Sequence, residues 1–420
     1  MADENATQVV VVGGGASGMM AAGTAAACGC RVLLLEKNRS LGRKLRITGK
    51  GRCNLTNLTD VEGLVAHIPG NGRFLRGAFY RFGPEDLIRF FRELGLETKV
   101  ERGARVFPAS DDSVDVVRAL TLFLRQGGVE VRFNAPVRRL AVDGGRVRGV
   151  WLADGAFLEA GAVVLATGGA SYPATGTSGD GYRMAREVGH TLVPIRPSLV
   201  PLEVSEAWVP PLAGLSLRNV ELYAMDRTGA VLWHERGEML FTHFGVSGPL
   251  VLSASRHVGG REGCSLRIDL KPALSEERLD ARVQRDLNAA ARKRMGNALV
   301  DLLPRALIPV VLENAGIPAE LPAHQLLRAQ RHALVRVLKH LKLTVTRPRP
   351  WSEAVVTAGG VAVSEVDPRT MESRRVRGLY LTGEVLDVDG YTGGYNLQIA
   401  FTTGRVAGES VSLLRPSASG

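Results

Sequence analysis

A glycine-rich turn near the amino terminus constrains the fold of this chain more than any other feature. The β-branched run Gln8–Val12 ends at "GGGASG", and the alanine-rich stretch Ala16–Ala27 and the apolar run "RVLLLEK" follow it. This order predicts a strand, a tight turn, a helix and a second strand. Gly13, Gly15 and Gly18 match the pattern G-x-G-x-x-G, which permits the tight turn, the approach of a pyrophosphate and close helix–strand packing.

A carboxylate closes this first unit. Glu36 lies eighteen residues beyond Gly18, at the end of the second predicted strand. A carboxylate at this place can accept hydrogen bonds from the hydroxyls of an adenosine ribose, and it repels a 2′-phosphate. The combination predicts a dinucleotide site, and the alternative interpretation is an ordinary βαβ turn.

Two distant segments indicate which dinucleotide is bound. "VVLATGG", Val163–Gly169, is a buried strand ending in Thr-Gly-Gly, and the hairpins before it are punctuated by Asp-Gly turns, which predicts a β-meander. Near the carboxyl end, a strand ends at Gly383-Glu384, a glycine-rich loop follows, and a helix is expected to start near Asn396. A helix start offers free N–H groups and a positive dipole end to an anion or an electron-rich ring. The three segments together resemble the glutathione-reductase-type FAD fold, an α/β fold of Rossmann-like type.

Longer motifs make the resemblance specific. "GRKLRITGKGRCNLTN", "SYPATGTSGDGYRMAREVGH", "MLFTHFGVSGPLVL", "AVVTAGGVAVSEVD" and "TGEVLDVDGYTGGYNLQIAFTTGRVAG" resemble the BaiN/RdsA family of NAD(P)/FAD-dependent oxidoreductases, also called HI0933-like or YhiN-like. This resemblance implies a discontinuous FAD-binding domain that is interrupted by a β-barrel-like subdomain and a small helical subdomain. The expected bounds are 1–194 and 347–420 for the FAD domain, 195–272 for the β-rich part and 273–346 for the helical part.

The resemblance also implies the cofactor contacts. We expect FAD to be held by the following residues: Gly13, Gly15, Ala16, Ser17, Gly18, Glu36, Lys37, Arg43, Lys44, Gly51, Arg52, Cys53, Asn54, Val137, Thr167, Gly168, Gly383, Glu384, Gly394, Asn396 and Leu397. In such a fold Arg43 and Lys44 can neutralise phosphates, and Arg52, Cys53 and Asn54 would lie near the flavin ring. The candidate proton donors are Cys53, His243, Tyr391 and Tyr395, although each of them also has a purely structural interpretation.

Composition limits the other possibilities. The net charge of +11 favours a polyanionic partner. The amino terminus is acidic and polar, and no apolar span of membrane length follows, so the sequence predicts a cytoplasmic protein without a membrane partner. The four cysteines form no metal-type pairs and are expected to be free thiols, and no metal site is predicted. No second G-x-G-x-x-G follows a strand, so NAD(P)H is expected to dock only transiently.

Three function classes remain open. The first is an enzyme that reduces a uridine C5–C6 double bond in 23S ribosomal RNA to dihydrouridine. The second is a reductase or oxidase of a small unsaturated or amino-ketone metabolite, and the third is a non-catalytic, flavin-bearing RNA-binding module.

The RNA hypothesis rests on a predicted basic helix, "HQLLRAQRHALVRVLKHLK". In this helix Leu327, Leu334, Leu338 and Leu341 would form an apolar stripe. The neighbouring face would then present four cations to RNA: Arg328, Arg331, Lys339 and Lys342. No DNA partner is expected.

Overall fold

A computed structural model describes residues 8–413 of the chain. The chain divides into two compact units, one formed by the segments up to Arg196 and from Val355 onward, and the other by Pro197–Ala354. The domain boundaries expected from the sequence are 194/195 and 346/347, and the second of them falls within a strand, Leu341–Pro348. Within the described part of the chain, no helix is both long and apolar enough to cross a bilayer.

The first segment of the first unit alternates strands and helices. Its strands are β1 (Gln8–Val12), β2 (Arg31–Leu35), β3 (Thr56–Asn57), β4 (Thr98–Glu101), β5 (Arg105–Pro108), β6 (Glu130–Arg132), β7 (Val137–Asp143), β8 (Arg146–Leu152), β9 (Phe157–Glu159), β10 (Ala162–Leu165) and β11 (Leu192–Ser198). Its helices are α1 (Ala16–Ala27), α2 (Val61–Ala66), α3 (Gly72–Arg81), α4 (Pro84–Glu93), α5 (Ser113–Gln126) and α6 (Asp180–Glu187).

The inserted unit and the returning segment complete the list. The inserted unit contains β12 (Leu202–Val204), β13 (Ser216–Met225), β14 (Val231–Thr242), β15 (Gly245–Ser247), β16 (Ser265–Asp269) and β17 (Leu341–Pro348), with α7 (Pro249–Val258), α8 (Glu276–Ala289), α9 (Met295–Ala298), α10 (Ile308–Asn314) and α11 (Arg328–Lys339). The returning segment contributes β18 (Val356–Val361), β19 (Leu379–Leu381) and α12 (Tyr395–Val411).

A parallel sheet organises the first unit. Its strand order is β19-β10-β1-β2-β6, so the strand from the carboxyl-terminal segment joins those from the amino-terminal segment. The central strands are continuous runs of Val and Leu that are buried on both faces, as a parallel sheet covered by helices requires. The expected FAD-type Rossmann-like α/β fold is therefore confirmed, and β7, β8 and β9 form the antiparallel meander predicted before β10.

Helix α12 packs on α1 because small residues meet between them. A Cβ atom added at Gly404 would lie 2.4 Å from the carbonyl oxygen of Ser17, so only glycine permits this helix spacing. The helix begins at Tyr395, one residue before the expected start. Its amino-terminal residues Asn396 and Leu397 thereby face the region where β1 ends.

The inserted unit is built around a closed barrel with strand order β12-β15-β14-β13-β16-β17. Strand β17 follows the helical stretch α8–α11 and pairs with both β12 and β16. Leu338 of α11 and Ile268 of β16 belong to one hydrophobic core. The β-rich and helical parts therefore share a core, whereas the sequence analysis treated them as separate subdomains.

The predicted basic helix is shorter than expected. Helix α11 ends at Lys339, and Leu341 and Lys342 lie on β17 instead. Leu327 precedes the helix and is 66% exposed, so it is not part of a buried stripe. The expectation that four cations share one helix face is therefore wrong, because the barrel recruits the last part of this segment as a strand.

Candidate cofactor and active site

A cleft opens in the first unit where β1, β2 and β10 end. Its free space, including the part open to solvent, is about 1390 Å³. Many of the residues predicted to hold FAD line it: Gly13, Gly15, Ala16, Ser17, Glu36, Lys37, Arg43, Lys44, Val137, Thr167, Gly168, Gly383, Glu384, Asn396 and Leu397. The cleft lies at the carboxyl ends of parallel strands, where open α/β sheets bind their ligands.

The glycine turn shapes the floor of this cleft. A Cβ atom added at Gly18 would lie 1.8 Å from the carbonyl oxygen of Gly13, so Gly18 is required for the packing of α1 against the turn. A Cβ atom at Gly15 would meet nothing within 4 Å, because this glycine borders open space. The second glycine thus leaves room for a pyrophosphate beside the backbone, as the motif predicts.

Glu36 is held rigidly at the wall of the cleft. Its side chain is buried, and its Oε2 accepts a hydrogen bond of 2.8 Å from the N–H of Gly14. Its Oε1 accepts from the N–H of Asn38 at 2.8 Å and from the side-chain amide of Asn38 at 2.6 Å. A carboxylate has about four lone-pair sites. Three of these sites are occupied, so Glu36 can still accept one hydroxyl of a ribose while the protein fixes its orientation.

The cations that follow Glu36 are engaged by the protein. Lys37 pairs with Asp180 at 2.6 Å, and Arg43 donates to Asn38 Oδ1 at 2.7 Å and to the carbonyl of Ala174 at 2.9 Å. These contacts place Lys37 and Arg43 on the cleft wall in defined positions. These contacts could not be predicted from the sequence, since two of the partners, Asp180 and Ala174, lie more than a hundred residues away.

Lys44 joins the two segments of the first unit. Its Nζ lies 2.7 Å from Glu384 Oε2 and donates to Ser171 Oγ at 2.7 Å. Glu384 Oε1 in turn accepts from the Ser171 hydroxyl at 2.9 Å and from the N–H of Thr357 at 2.8 Å. Burial raises the pKa of Glu384, but Lys44 and these hydrogen bonds outweigh it, so the net pKa lies below its ordinary value. Glu384 is therefore a charged group on the cleft wall.

Six predicted cofactor residues do not line this cleft: Gly18, Gly51, Arg52, Cys53, Asn54 and Gly394. Arg52 is held away by Glu101 and by Asp111, to which its Nε donates at 2.8 Å, and its guanidinium lies 4.2 Å from the centre of the Phe107 ring. The Oδ1 atom of Asn54 is buried and has no hydrogen-bond partner within residues 8–413.

Cys53 is a buried thiol. Burial raises its pKa to about 12, and the smaller, opposing influence of Thr48 does not offset this. At neutral pH the group stays protonated, and its pKa is far from the value that suits proton transfer. Arg52, its neighbour in the sequence, does not activate it, because this guanidinium is paired with carboxylates.

The proton-donor candidates Tyr391 and Tyr395 lie together beside a histidine that sequence analysis missed. The His67 ring stacks on Tyr395 with a centroid distance of 4.5 Å and meets Tyr391 edge-on at 6.3 Å. His67 Nδ1 lies 2.7 Å from the carbonyl oxygen of Gly63, which makes Nδ1 the donor and directs Nε2 elsewhere. No sequence motif marks His67, because it follows the short helix α2 and only tertiary packing brings it to α12.

Gly394 and His243 occupy different surroundings. Gly394 precedes α12 with φ of +105°, and a Cβ atom there would lie 2.4 Å from the backbone of Thr56. It is thus required for backbone packing at the start of the helix. His243 lies in the turn between β14 and β15 of the inserted unit, exposed, with its ring against Phe244.

The cleft fits FAD. Gly15 leaves space at the turn, Glu36 presents a carboxylate for a ribose, and α12 directs its amino-terminal end into the cleft. The hydroxyls of Ser17, Thr167 and Thr382 on the same wall have no hydrogen-bond partner within residues 8–413. Such unsatisfied polar groups are typical of a site shaped for a polar ligand.

Comparison with known proteins gives the class and then the family. Two solved steroid dehydrogenases share this fold. The first is 3-ketosteroid Δ1-dehydrogenase from Sterolibacterium denitrificans, with a TM-score of 0.55 and 15% identity over 97% of this chain and 99% of that one. The second is 3-ketosteroid Δ4-(5α)-dehydrogenase from Rhodococcus jostii, with a TM-score of 0.52 and 16% identity over 97% of each chain. Fold and cleft define an FAD-dependent oxidoreductase. The family model described as "HI0933-like protein Rossmann domain" matches residues 7–410, and the chain belongs to this family.

Three relatives in sequence are named for two different reactions. The chain is 36% identical to the 3-dehydro-bile acid Δ(4,6)-reductase of Clostridium scindens, over 96% of this chain and 99% of that protein. It is 32% identical to the ribosomal RNA dihydrouridine synthase of Escherichia coli, over 94% of this chain and 95% of that protein, and 30% identical to its namesake in Haemophilus influenzae, over 96% and 98%. These relatives are enzymes, which argues against the non-catalytic alternative.

Proposed function

We propose that this protein is an FAD-dependent reductase that converts a uridine of 23S ribosomal RNA to dihydrouridine, with NAD(P)H as the electron source. The observation that carries the choice of substrate is the net charge of +11 on a chain that also contains the FAD-type cleft. A polyanionic substrate is attracted by such a charge, whereas a steroid acid does not require it. Two relatives named ribosomal RNA dihydrouridine synthases support the same choice.

The reaction adds one hydride and one proton across a carbon–carbon double bond. In uridine the C5–C6 bond is conjugated to the C4 carbonyl, so the hydride adds at C6 and the proton at C5. FAD, when bound and reduced by NAD(P)H, supplies the hydride. Glu36 would hold the adenosine ribose, and the N–H groups at the start of α12 would stabilise negative charge on the cofactor.

The proton must come from a group that is protonated at neutral pH and lies beside the reacting carbon. The aromatic cluster of His67, Tyr391 and Tyr395 lies next to the start of α12, and each of its three side chains can carry an exchangeable proton. We favour this cluster over Cys53, whose thiol is buried and holds its proton too tightly. Within the cluster, the fixed Nδ1 of His67 leaves Nε2 as the atom that can exchange a proton.

The decisive experiment compares ribosomal RNA nucleosides, by mass spectrometry, from cells that contain or lack this protein. The expected result is a dihydrouridine that disappears with the protein and returns with the wild-type gene. Glu36→Ala should weaken FAD retention about 100-fold, since it removes the hydrogen bond between the ribose and a charged group, and should not restore the modification. Glu93→Ala, at an exposed position on α4, is the matched control and should restore it. Ribosomal RNA with unchanged dihydrouridine would contradict the proposal.

A small-molecule substrate is the second candidate, and the 36% identity to a bile acid reductase favours it. A 3-keto steroid with conjugated double bonds accepts the same hydride and proton as uridine does. Incubation of FAD-loaded protein with NAD(P)H and an unsaturated 3-keto steroid distinguishes the two. Rapid steroid reduction together with unaltered ribosomal RNA would favour this second candidate.

A further inference from the structure

One outward face of the barrel carries a row of four side chains from four neighbouring strands. Tyr223 on β13 lies directly opposite His234 on β14 and Arg267 on β16, and Arg267 lies opposite Lys342 on β17. Directly opposite residues on a sheet project to the same face. Because the alternate residue Leu222 is fully buried in the barrel core, the four side chains point to the outside. We call this set the barrel row.

The barrel row is stacked. The His234 ring lies nearly parallel to the Tyr223 ring, at 14° and with centroids 5.2 Å apart, and the Arg267 guanidinium carbon lies 4.0 Å from the centre of the same ring. The two neighbours of Tyr223 come from strands on its opposite sides, so the phenol ring lies between an imidazole and a guanidinium. This packing holds two long polar side chains upright before any partner binds, which reduces the entropy lost on binding.

Two acids lie beside the barrel row, and each is in contact with another side chain of the protein. Glu221, next to Tyr223 on the same strand, has a side chain that is 20% exposed and lies 3.1 Å from His234 Nδ1. Asp269, next to Arg267, is 7% exposed and pairs with Lys339 at 2.5 Å. Lys342 is exposed, Arg267 is partly buried against the Tyr223 ring, and neither has an ion pair within residues 8–413.

We propose that the barrel row is a docking surface for a strand of ribosomal RNA. Arg267 and Lys342 would contact phosphates, and the outer face of the His234 ring, whose side chain is 57% exposed, would stack on a base. This inference rests on the proposed function, because it names the surface by which the same enzyme binds its polymer. An exposed lysine and a partly buried arginine that continue an aromatic stack match the alternating phosphates and bases of a single strand.

The barrel row replaces the predicted basic helix as the proposed RNA-binding surface. Arg331 is paired with Asp280 at 2.7 Å, and Lys339 is paired with Asp269, so two of the four cations predicted on the helix are neutralised within the protein. Lys342 alone among the four belongs to the barrel row.

Full-length, FAD-loaded variants test this surface. The row variant is Arg267→Glu/Lys342→Glu, and the control is Arg285→Glu/Arg336→Glu, which changes the net charge equally at exposed positions on α8 and α11. Binding of a 23S ribosomal RNA transcript is measured between 50 and 200 mM salt. The row variant should bind at least about 10-fold more weakly and should show a slope of log K against log salt that is smaller by about two, whereas the control should change affinity by less than about threefold.

A second variant probes the stack. His234→Ala removes one ring and should weaken RNA binding about 5- to 100-fold, the range for loss of one base-stacking contact, with the salt slope nearly unchanged. Thermal unfolding and FAD content check that each variant folds. If the row variant does not fold, Arg267→Gln/Lys342→Gln takes its place, with half the charge change and a proportionally smaller effect.

The outcomes separate this inference from the proposed function. If the wild type forms dihydrouridine but the row and control variants bind RNA equally well, the barrel row is not the docking surface, and the proposed function is unaffected. Wild-type protein that forms no dihydrouridine overturns the proposed function first. Equal loss of binding to ribosomal RNA and to polyglutamate would show a general anion surface, and would overturn the assignment to RNA.

Discussion

Two lysine–carboxylate pairs, one in each unit, share the same chemistry and differ in their surroundings. Lys44 lies 2.7 Å from Glu384, with side chains that are 22% and 18% exposed, and Lys339 lies 2.5 Å from Asp269, with 12% and 7%. Lys339 also donates to the carbonyl oxygens of Leu274 at 2.7 Å and Lys271 at 3.3 Å. Because an ammonium group has three donors, Lys339 is fully satisfied by the protein.

Lys44 has a donor left over. Within residues 8–413 its ammonium contacts Glu384 and Ser171, and it borders the cleft. One N–H group therefore remains for a ligand. The comparison teaches that a cation in a basic segment is a binding group only if its partners leave a donor and a path to solvent, and neither property can be read from the charge pattern.

The largest effect is expected for the pair formed by Lys339 and Asp269. Lys339→Met should lower the free energy of unfolding by about 3–5 kcal/mol, because Asp269 would remain buried without its cation. Urea unfolding measures this loss, and FAD content should stay unchanged. The double variant Lys339→Met/Asp269→Asn should recover part of the stability. A loss below about 1 kcal/mol in the single variant would contradict the view that this pair is structural.

Lys44→Met should have a smaller effect on stability, about 2 kcal/mol, since the cleft gives the pair access to water, but it should also weaken FAD binding. The pH dependence is the sharper test. The pKa of Glu384 in the folded protein lies below its ordinary value, so the pair stabilises the wild type at neutral pH, and this contribution is lost as the pH falls through that lowered pKa. In the variant burial is no longer offset by Lys44, and the pKa of Glu384 rises.

The deficit of the Lys44→Met variant should therefore be greatest near pH 7 and should shrink toward pH 5, because Glu384 of the variant takes up a proton over this range while Glu384 of the wild type stays charged. Urea unfolding of both proteins between pH 5 and pH 8 measures this difference. Lys339→Arg is the control, as it keeps the charge in the other unit. A deficit that does not change with pH would show that Glu384 is not held charged by Lys44.

Ser171→Ala should have a moderate effect on the cleft. The Ser171 hydroxyl donates to Glu384 at 2.9 Å and accepts from Lys44 at 2.7 Å, and its loss removes one hydrogen bond from each partner. We expect a stability loss of about 1 kcal/mol and FAD affinity reduced about fivefold, measured by titration of the apoprotein with FAD. Ser247→Ala in the inserted unit is the control. FAD affinity equal to that of the wild type would separate Ser171 from the cofactor site.

The smallest effect concerns Cys53. With a pKa raised by burial to about 12, this thiol should resist iodoacetamide at pH 8 in the folded protein, while the exposed Cys28 reacts. Mass spectrometry of tryptic peptides locates the label, and unfolding in guanidinium chloride should make all the cysteines reactive. Rapid labelling of Cys53 in the folded protein would restore it as a proton-donor candidate.

Local patterns predicted much of the first unit. The glycine turn, the alternation of apolar runs and Glu36 all lie within one βαβ unit, where neighbouring residues determine the structure. By contrast, no pattern indicated that Arg52 pairs with Glu101 and Asp111, because contacts between residues distant in the chain depend on the fold and not on spacing. His67 was missed for the same reason.

The end of α11 shows a different limit. The amphipathic pattern runs on into Leu341 and Lys342, and helix propensity alone would continue the helix. The closing of the barrel gives those residues strand partners on β16, and this tertiary pairing overrides the local preference. When a sequence pattern is compatible with both a helix and a half-buried strand, the neighbouring strands and helices of the fold determine which one forms.

The position of β19 in the parallel sheet has a consequence for synthesis of the chain. Strand β10 pairs with β1, which precedes it in the chain, and within residues 8–413 its other edge pairs with β19 alone. The ribosome makes β19 after the whole inserted unit, Pro197–Ala354. At about 5–20 residues per second, this interval lasts on the order of ten seconds or more. During that time the nascent sheet has an open edge of Val and Leu, the kind of edge that recruits other strands. Newly made chains are therefore expected to depend on chaperones until the last segment emerges.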